Sequence, residues 1–207
     1  MTTHSFHIRL ITPNADPALD ISEEIAVYRK RYTPLLPGLV ISHRVIDNGP
    51  VSIQTAEDTR QAAPFVVKKV IEAEREGVDA VIIDCFSQPG LGDARKAVKI
   101  PVVGAGEAAM NAAARLTSDT SRIAQVYTLD EARTAIDRGA TVIVVASTGK
   151  TGLADEIRHK TGTWTIDPLP EAFQKIIDGF RNSQRIEQRP DRNVSSAGST
   201  SKTERKT

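Results

Sequence analysis

Seven short runs of β-branched and aliphatic residues alternate with longer amphipathic stretches along this chain, and that alternation limits its fold more than any other feature. The runs "FHIRLIT", "LVISHRVI", "DAVIIDC", "IPVVGA", "RIAQVYT", "ATVIVVA" and "TWTID" read as strands. Between and after them, "ISEEIAVYRKRY", "AEDTRQAAPFVVKKVIEAEREG", "GEAAMNAAARL", "LDEARTAIDRG", "GLADEIRHKTG" and "LPEAFQKIIDGF" read as helices, with Gly77, Gly139 and Gly162 placed to close three of them. A strand followed by a helix and then another strand needs a crossover, which makes neighbouring strands parallel and the fold class α/β. In parallel sheets ligands bind beyond the carboxyl ends of the strands, where the loops carrying the chemistry are expected.

The pattern stops near residue 180. Residues 181–207 hold seven Lys/Arg against three Asp/Glu, with Ile186, Val194 and Ala197 as their aliphatics. Such a segment cannot bury enough surface to offset its ordering entropy and is expected to be a disordered, solvated tail. The remaining length, in a chain of 40% hydrophobic content, suffices for one large domain or two small ones. A net charge of +1 sets up no field to recruit nucleic acid or an anionic membrane. Runs such as "ATVIVVA" fall far below the ~20 residues that span a bilayer, so no membrane segment is expected. The start "MTTHSFHIRL" lacks the basic and long apolar regions of a secretory signal, and one cysteine forms no intramolecular disulfide. The expected location is cytoplasmic and the expected partner a small molecule. His4, His7, His43 and His159 have no metal-ligand spacing, so no metal site is expected.

Two motifs suggest nucleotides and fail on inspection. "VVGAGEAAM" fits G-x-G-x-x-A at Gly104, Gly106 and Ala109, but no acidic residue ends a following strand at the required spacing. The better reading is a tight turn that lets helix and strand pack closely. "VVASTGKTGL" ends like a P-loop, yet Val144 stands where its first glycine belongs. What remains is a Ser-Thr-Gly turn at a helix start, either a carboxylate-binding turn or a plain N-cap by Ser147 or Thr148.

Taken in order, "IRLITPNAD", "NGPVSIQT", "GVDAVIIDCFSQPGL", "IPVVGAGEAAMNAAA", "GATVIVVASTGKTGLADEI" and "WTIDPLPEAFQKI" resemble the aspartate/glutamate/hydantoin racemase superfamily, and most its hydantoin and allantoin racemase branch. The resemblance covers residues 6 to about 178, and the block 77–114 is its most specific part. It implies two pseudo-symmetric flavodoxin-like lobes, 1–103 and 104–180, with the last helix packing back on the first lobe and the active site between them. It also implies cofactor-free catalysis by two cysteines on opposite faces of a carbon acid. The first family cysteine falls on Cys85. The second falls on Ser147, a departure, because an alcohol ionises poorly where a thiol of free pKa about 8.5 can be made a base. Between "RIAQVYT" and "LDEARTAI" the chain also lacks a strand and helix that family members have. The second lobe is thus expected to be shortened, which either opens the cleft or leaves an edge for a partner subunit in a homo-oligomer.

The resemblance assigns Cys85 and Ser147 to catalysis and Asn14, Ser52, Thr148 and Gly149 to substrate binding, and the position of the turn after Cys85 adds Phe86 and Ser87 to the substrate-binding set. The turn Phe86-Ser87-Gln88 is expected to aim backbone N–H groups at a thiolate or a substrate carboxylate. Asp84, at the strand end, either tunes the thiol or faces solvent. Glu107, in a first helical turn, reads as structural. The implied function is a racemase-type isomerase acting on a small carboxylate, amino-acid derivative or hydantoin through one cysteine. The alternatives are a single-cysteine lyase such as a decarboxylase, a cis-trans isomerase, and a catalytically silent binder of a small carboxylate or a protein.

Overall fold

The structure, a computed structural model, describes residues 5–187. All seven expected strands form: β1 (His7–Thr12), β2 (Val40–Val45), β3 (Ala80–Ile83), β4 (Val102–Gly104), β5 (Ile123–Val126), β6 (Val142–Val145) and β7 (Trp164–Ile166). They are divided between two all-parallel sheets, one ordered β2-β1-β3-β4 and the other β5-β6-β7. The α/β class and the shorter second sheet are as expected from the sequence.

The six expected helices are α1 (Ser22–Tyr32), α2 (Ala56–Arg75), α4 (Ala105–Leu116), α5 (Leu129–Asp137), α6 (Leu153–Thr161) and α7 (Pro168–Glu187). A further helix, α3 (Leu91–Ala97), was not expected. Gly77, Gly139 and Gly162 all take left-handed backbone after α2, α5 and α6, the conformation glycine adopts without penalty. Helix α2 continues through Pro64 and is anchored at its start by a capping box between Thr55 and Asp58. Helix α7 runs to Glu187 and so takes in the beginning of the segment read as tail; residues 188–207 lie outside the described residues.

Strands β1, β3, β4 and β6 bury both faces, which is why their sequences are apolar runs rather than alternating ones. On one face of the first sheet, Ile8, Leu10 and Ile82 meet Tyr28 and Tyr32 of α1 and Leu169, Phe173 and Ile177 of α7. The Phe173 ring lies 5.0 Å from each of the two tyrosine rings. On the other face, Ile11, Val81 and Ile83 meet Val66 and Val70 of α2 and Leu91 of α3. Helix α4 serves both sheets. Its Ala105 and Ala108 belong to the first core, whereas Ala109, Ala112 and Ala113 pack with Val142, Val144 and Ile166 of the second sheet. Residues no larger than alanine bring the helix axis close to both neighbours, so α4 forms a thin wedge between the halves.

Candidate active site

The carboxyl ends of the two sheets share one cleft of about 1010 Å³. Its first-half wall comes from the loops after β1, β2 and β3, with Asn14, Ser52, Cys85, Phe86 and Ser87; its second-half wall includes Ser147, Thr148 and Gly149. All eight residues singled out in the sequence therefore meet there, although they come from four separate segments.

Cys85 is half-buried, one residue beyond the buried Asp84 that follows β3. The chain turns at once: Gln88 N–H donates to the Cys85 carbonyl at 3.1 Å, and Gln88 takes a left-handed φ of 46°. The Cys85 Sγ lies 3.3 Å from Ser87 Oγ, to which Thr59 Oγ1 donates at 3.2 Å. A thiolate at this position thus has a hydroxyl donor at hand. The backbone N–H groups of Phe86 and Ser87 have no acceptor among the described residues, as expected of a turn that offers them to a ligand. Phe86 itself leans across and packs on the second-sheet core beside Ala109 and Val142.

The Gly104 and Gly106 pair has its explanation here. A Cβ on Gly106 would stand 2.0 Å from the Phe86 carbonyl oxygen, and one on Gly104 2.1 Å from Gln88 Oε1. Neither has a positive φ. The need is for close approach rather than for conformational freedom: the Cys85 turn sits directly on the backbone at the start of α4, where Gln88 Oε1 accepts from Glu107 N–H at 2.8 Å. The Glu107 side chain bridges Arg95 at 2.8 Å and Lys175 at 2.7 Å, and these cations hold its carboxyl down at about 2. It ties α3, α4 and α7 together and stands outside the cleft lining.

Asp84 does not face solvent. It is 7% exposed, its Oδ2 accepts from Thr12 Oγ1 at 2.9 Å, and Oδ1 has no hydrogen-bond partner. Burial pushes its carboxyl up from the ordinary aspartate range, opposed by the hydroxyls of Thr148 and Thr12. Thr148 reaches towards the carboxyl from the second half but stays outside hydrogen-bond geometry. Thr12 Oγ1 is also 3.0 Å from His43 Nε2. A file of three polar side chains on β2, β1 and the end of β3 therefore leads into the cleft.

The second-half turn differs from both sequence readings. Helix α6 starts at Leu153 behind the N-cap Gly152, so neither Ser147 nor Thr148 caps it, and its free N–H groups lie beyond the Ser-Thr-Gly turn. The turn has donors of its own, because the N–H groups of Ser147, Thr148 and Gly149 have no acceptor among the described residues. The Ser147 hydroxyl and the Asn14 amide are likewise free of protein partners there, whereas Ser52 Oγ accepts from Gln54 Nε2 at 2.7 Å. Lys150 Nζ, which sequence reasoning treated only as a P-loop remnant, lines the cleft and donates to the Tyr127 carbonyl at 2.6 Å. Tyr28, Glu24 and Tyr127 also line it and were missed, since each is set by the pairing of distant elements.

Two parallel sheets of unequal size, whose carboxyl-end loops close on one cleft, define a two-part α/β protein of the racemase fold. The allantoin racemase from Klebsiella pneumoniae superposes with a TM-score of 0.73 over 87% of this chain and 89% of its own, at 22% identity. Residues 35–129 match the family model described as Asp/Glu/Hydantoin racemase. The hydantoin racemase of Rhizobium meliloti is 31% identical over 109 residues, 52% of this chain but only 43% of that enzyme. That of Paenarthrobacter aurescens is 27% identical over 209 aligned positions, 80% of this chain and 87% of that enzyme. Family signature and fold thus point the same way: the chain is similar to the Asp/Glu/hydantoin racemases.

Among the described residues, no helix is long and apolar enough to cross a membrane.

Proposed function

We propose that the protein is a racemase-type isomerase acting on a hydantoin or a related small carbon acid, with Cys85 as its base, Ser147 across the cleft from it, and lobes 1–103 and 104–180 as its two walls. The observation that supports this most is the meeting of the lone thiol, its Ser87 hydroxyl and two turns of free N–H groups in one cleft. The substrate's acidic C–H is presented to the Cys85 thiolate, which takes the proton and becomes a thiol, leaving the electron pair delocalised onto the neighbouring carbonyl oxygen. The free N–H groups of the two turns hold that developing oxyanion, and Asn14 and Ser52 fix the rest of the ring.

Return of the proton by Cys85 restores the original configuration. Inversion requires delivery to the opposite face, and among the described residues no side chain hydrogen-bonds the Ser147 hydroxyl to make it an equal of the thiol. The same asymmetry favours a second reading, a lyase in which Cys85 only protonates an enolate left by loss of carbon dioxide. Incubating each enantiomer of 5-methylhydantoin in deuterium oxide separates the two. Faster α-deuteration of one enantiomer than of the other supports one-sided isomerase chemistry. Equal rates would remove the asymmetry, and no exchange together with carbon dioxide release from a malonate-type acid would favour the lyase.

A further inference from the structure

Asp84 lines the cleft without a role in the proposed chemistry, and its surroundings are unusual for a carboxyl. It is buried, one oxygen is satisfied by Thr12, and the other has no partner. A buried polar atom left unpaired costs roughly 1–3 kcal/mol and calls for an explanation. Here the carboxyl that carries the orphan belongs to a residue lining the cleft shared by both halves, beside Cys85 in the chain.

The hydrogen-bond file gives the carboxyl a direction. Thr12 has one hydrogen, and donating it to Asp84 Oδ2 leaves the Thr12 oxygen to accept from His43 Nε2–H. With Oδ2 occupied as an acceptor, the proton of a neutral carboxyl sits on Oδ1, the atom without a protein partner. We propose that Asp84 is a further catalytic residue, a neutral carboxylic acid whose Oδ1–H donates a hydrogen bond to the carbonyl oxygen of the bound carbon acid and holds it as it becomes an enolate oxygen. This deepens the isomerase reading and rests on it for the substrate class.

The electrostatic setting agrees with a neutral acid. Helix α1 brings Glu24, whose charge works against a second anion, and the buried phenol of Tyr28. Strand β2 brings His43, whose own pKa is lowered by burial and by Arg44, so it reaches Asp84 through Thr12 as a neutral ring. The second half brings the Thr148 hydroxyl, while Lys150 is bound to the Tyr127 carbonyl. Among the described residues no lysine or arginine pairs with Asp84. A donor of this kind gains most when charge builds on its acceptor, so its effect falls on the transition state more than on binding.

The test compares the full chain with Asp84→Asn and Asp84→Ala. In infrared difference spectra at neutral pH, the wild type minus Asp84→Asn should show the C=O stretch of a neutral carboxyl, and adding 5-methylhydantoin should shift it. Absence of the band, or a band that the hydantoin does not move, overturns the proposal. α-Deuteration should fall roughly 10²–10³-fold in Asp84→Ala, chiefly in kcat, and by about tenfold in Asp84→Asn, which keeps an N–H donor. Because burial raises the carboxyl's pKa, the neutral form prevails at low pH and is lost as pH rises; the wild-type rate should therefore decline on its alkaline side, a decline that Asp84→Asn lacks. Retention of full exchange by Asp84→Ala also overturns the proposal. A shifted band with no exchange by the wild type leaves the donor in place and refutes the isomerase reading instead.

Discussion

The two sheets repeat one plan with one unit removed, and the difference locates the chemistry. In the first, β1 is flanked by β2 on one side and β3 on the other; in the second, β5 has β6 on one side and, among the described residues, no strand on the other. The strands correspond as β1 with β5, β3 with β6 and β4 with β7, so Asn14 and Tyr127 follow equivalent strands, as do Cys85 and Ser147. The missing unit is the counterpart of β2 and α2. In the first half that unit supplies His43, Thr59 and Ser52, which contact or neighbour Thr12, Ser87 and the cleft. Among the described residues the second half has no such unit beside its turn. A thiol and a buried carboxyl thus stand in the half that keeps the β2–α2 unit, and a bare hydroxyl turn in the half that lacks it.

The largest test of that contrast is Cys85→Ser. The side chains are close in size, so melting temperature should stay within a degree or two, while α-deuteration should fall by at least the 10²–10⁴-fold typical of general base catalysis. A variant with most of its activity would show that the first half does not own the chemistry. Ser147→Cys tests the other half, since it supplies a thiol where the equivalent turn has an alcohol. Racemisation should rise by about tenfold, less than the full effect of a base because no hydroxyl like Ser87 stands behind it. Ser147→Ala should bring no rise. Equal behaviour of the cysteine and alanine variants would mean that the two turns do not face one substrate carbon.

The smallest effect concerns a second carboxyl at a strand end. Asp167 follows β7 as Asp84 follows β3, and burial raises it to about 6, although its Oδ1 accepts from Leu169 N–H at the start of α7. A carboxyl whose folded pKa lies above its unfolded value stabilises the fold fully below the unfolded value and loses that contribution as pH rises through the folded one. Asp167→Asn should therefore be more stable than the wild type by about 1–2 kcal/mol at pH 7.5, and the gain should vanish near pH 4. Denaturant unfolding at the two pH values measures it. A gain that persists at pH 4 would show that the effect is packing and not ionisation.

The strands and six helices were legible because apolar runs buried on both faces and 3.6-residue patterns are local properties. Helix α3 was not, since "LGDARKA" spans too few turns to show a period and its start is set by the left-handed Gly90. The Ser147 turn was misread for a related reason: Gly152, with no side chain to announce a cap, begins α6. Cys85 and Ser147 were found through the resemblance of their surroundings to a family, not through any local physical signal. The state of Asp84 was out of reach, because Thr12, His43 and Asp84 become neighbours only through the order β2-β1-β3, which the chain sequence does not spell out.

The seating of the Cys85 turn on bare backbone at Gly104 and Gly106 has a mechanical consequence. Side chains that pack can rock within their rotamer wells, but a carbonyl resting against a Cα has almost no play. Helix α4, which receives this contact at one end, also packs against the second sheet along its length. The thiol and the hydroxyl turn are thus both referenced to one stiff rod, as two jaws are to the body of a vice. On the isomerase reading, enantiomeric preference becomes a dimension of that rod, and the residue held in either jaw can be exchanged without altering the gap between them.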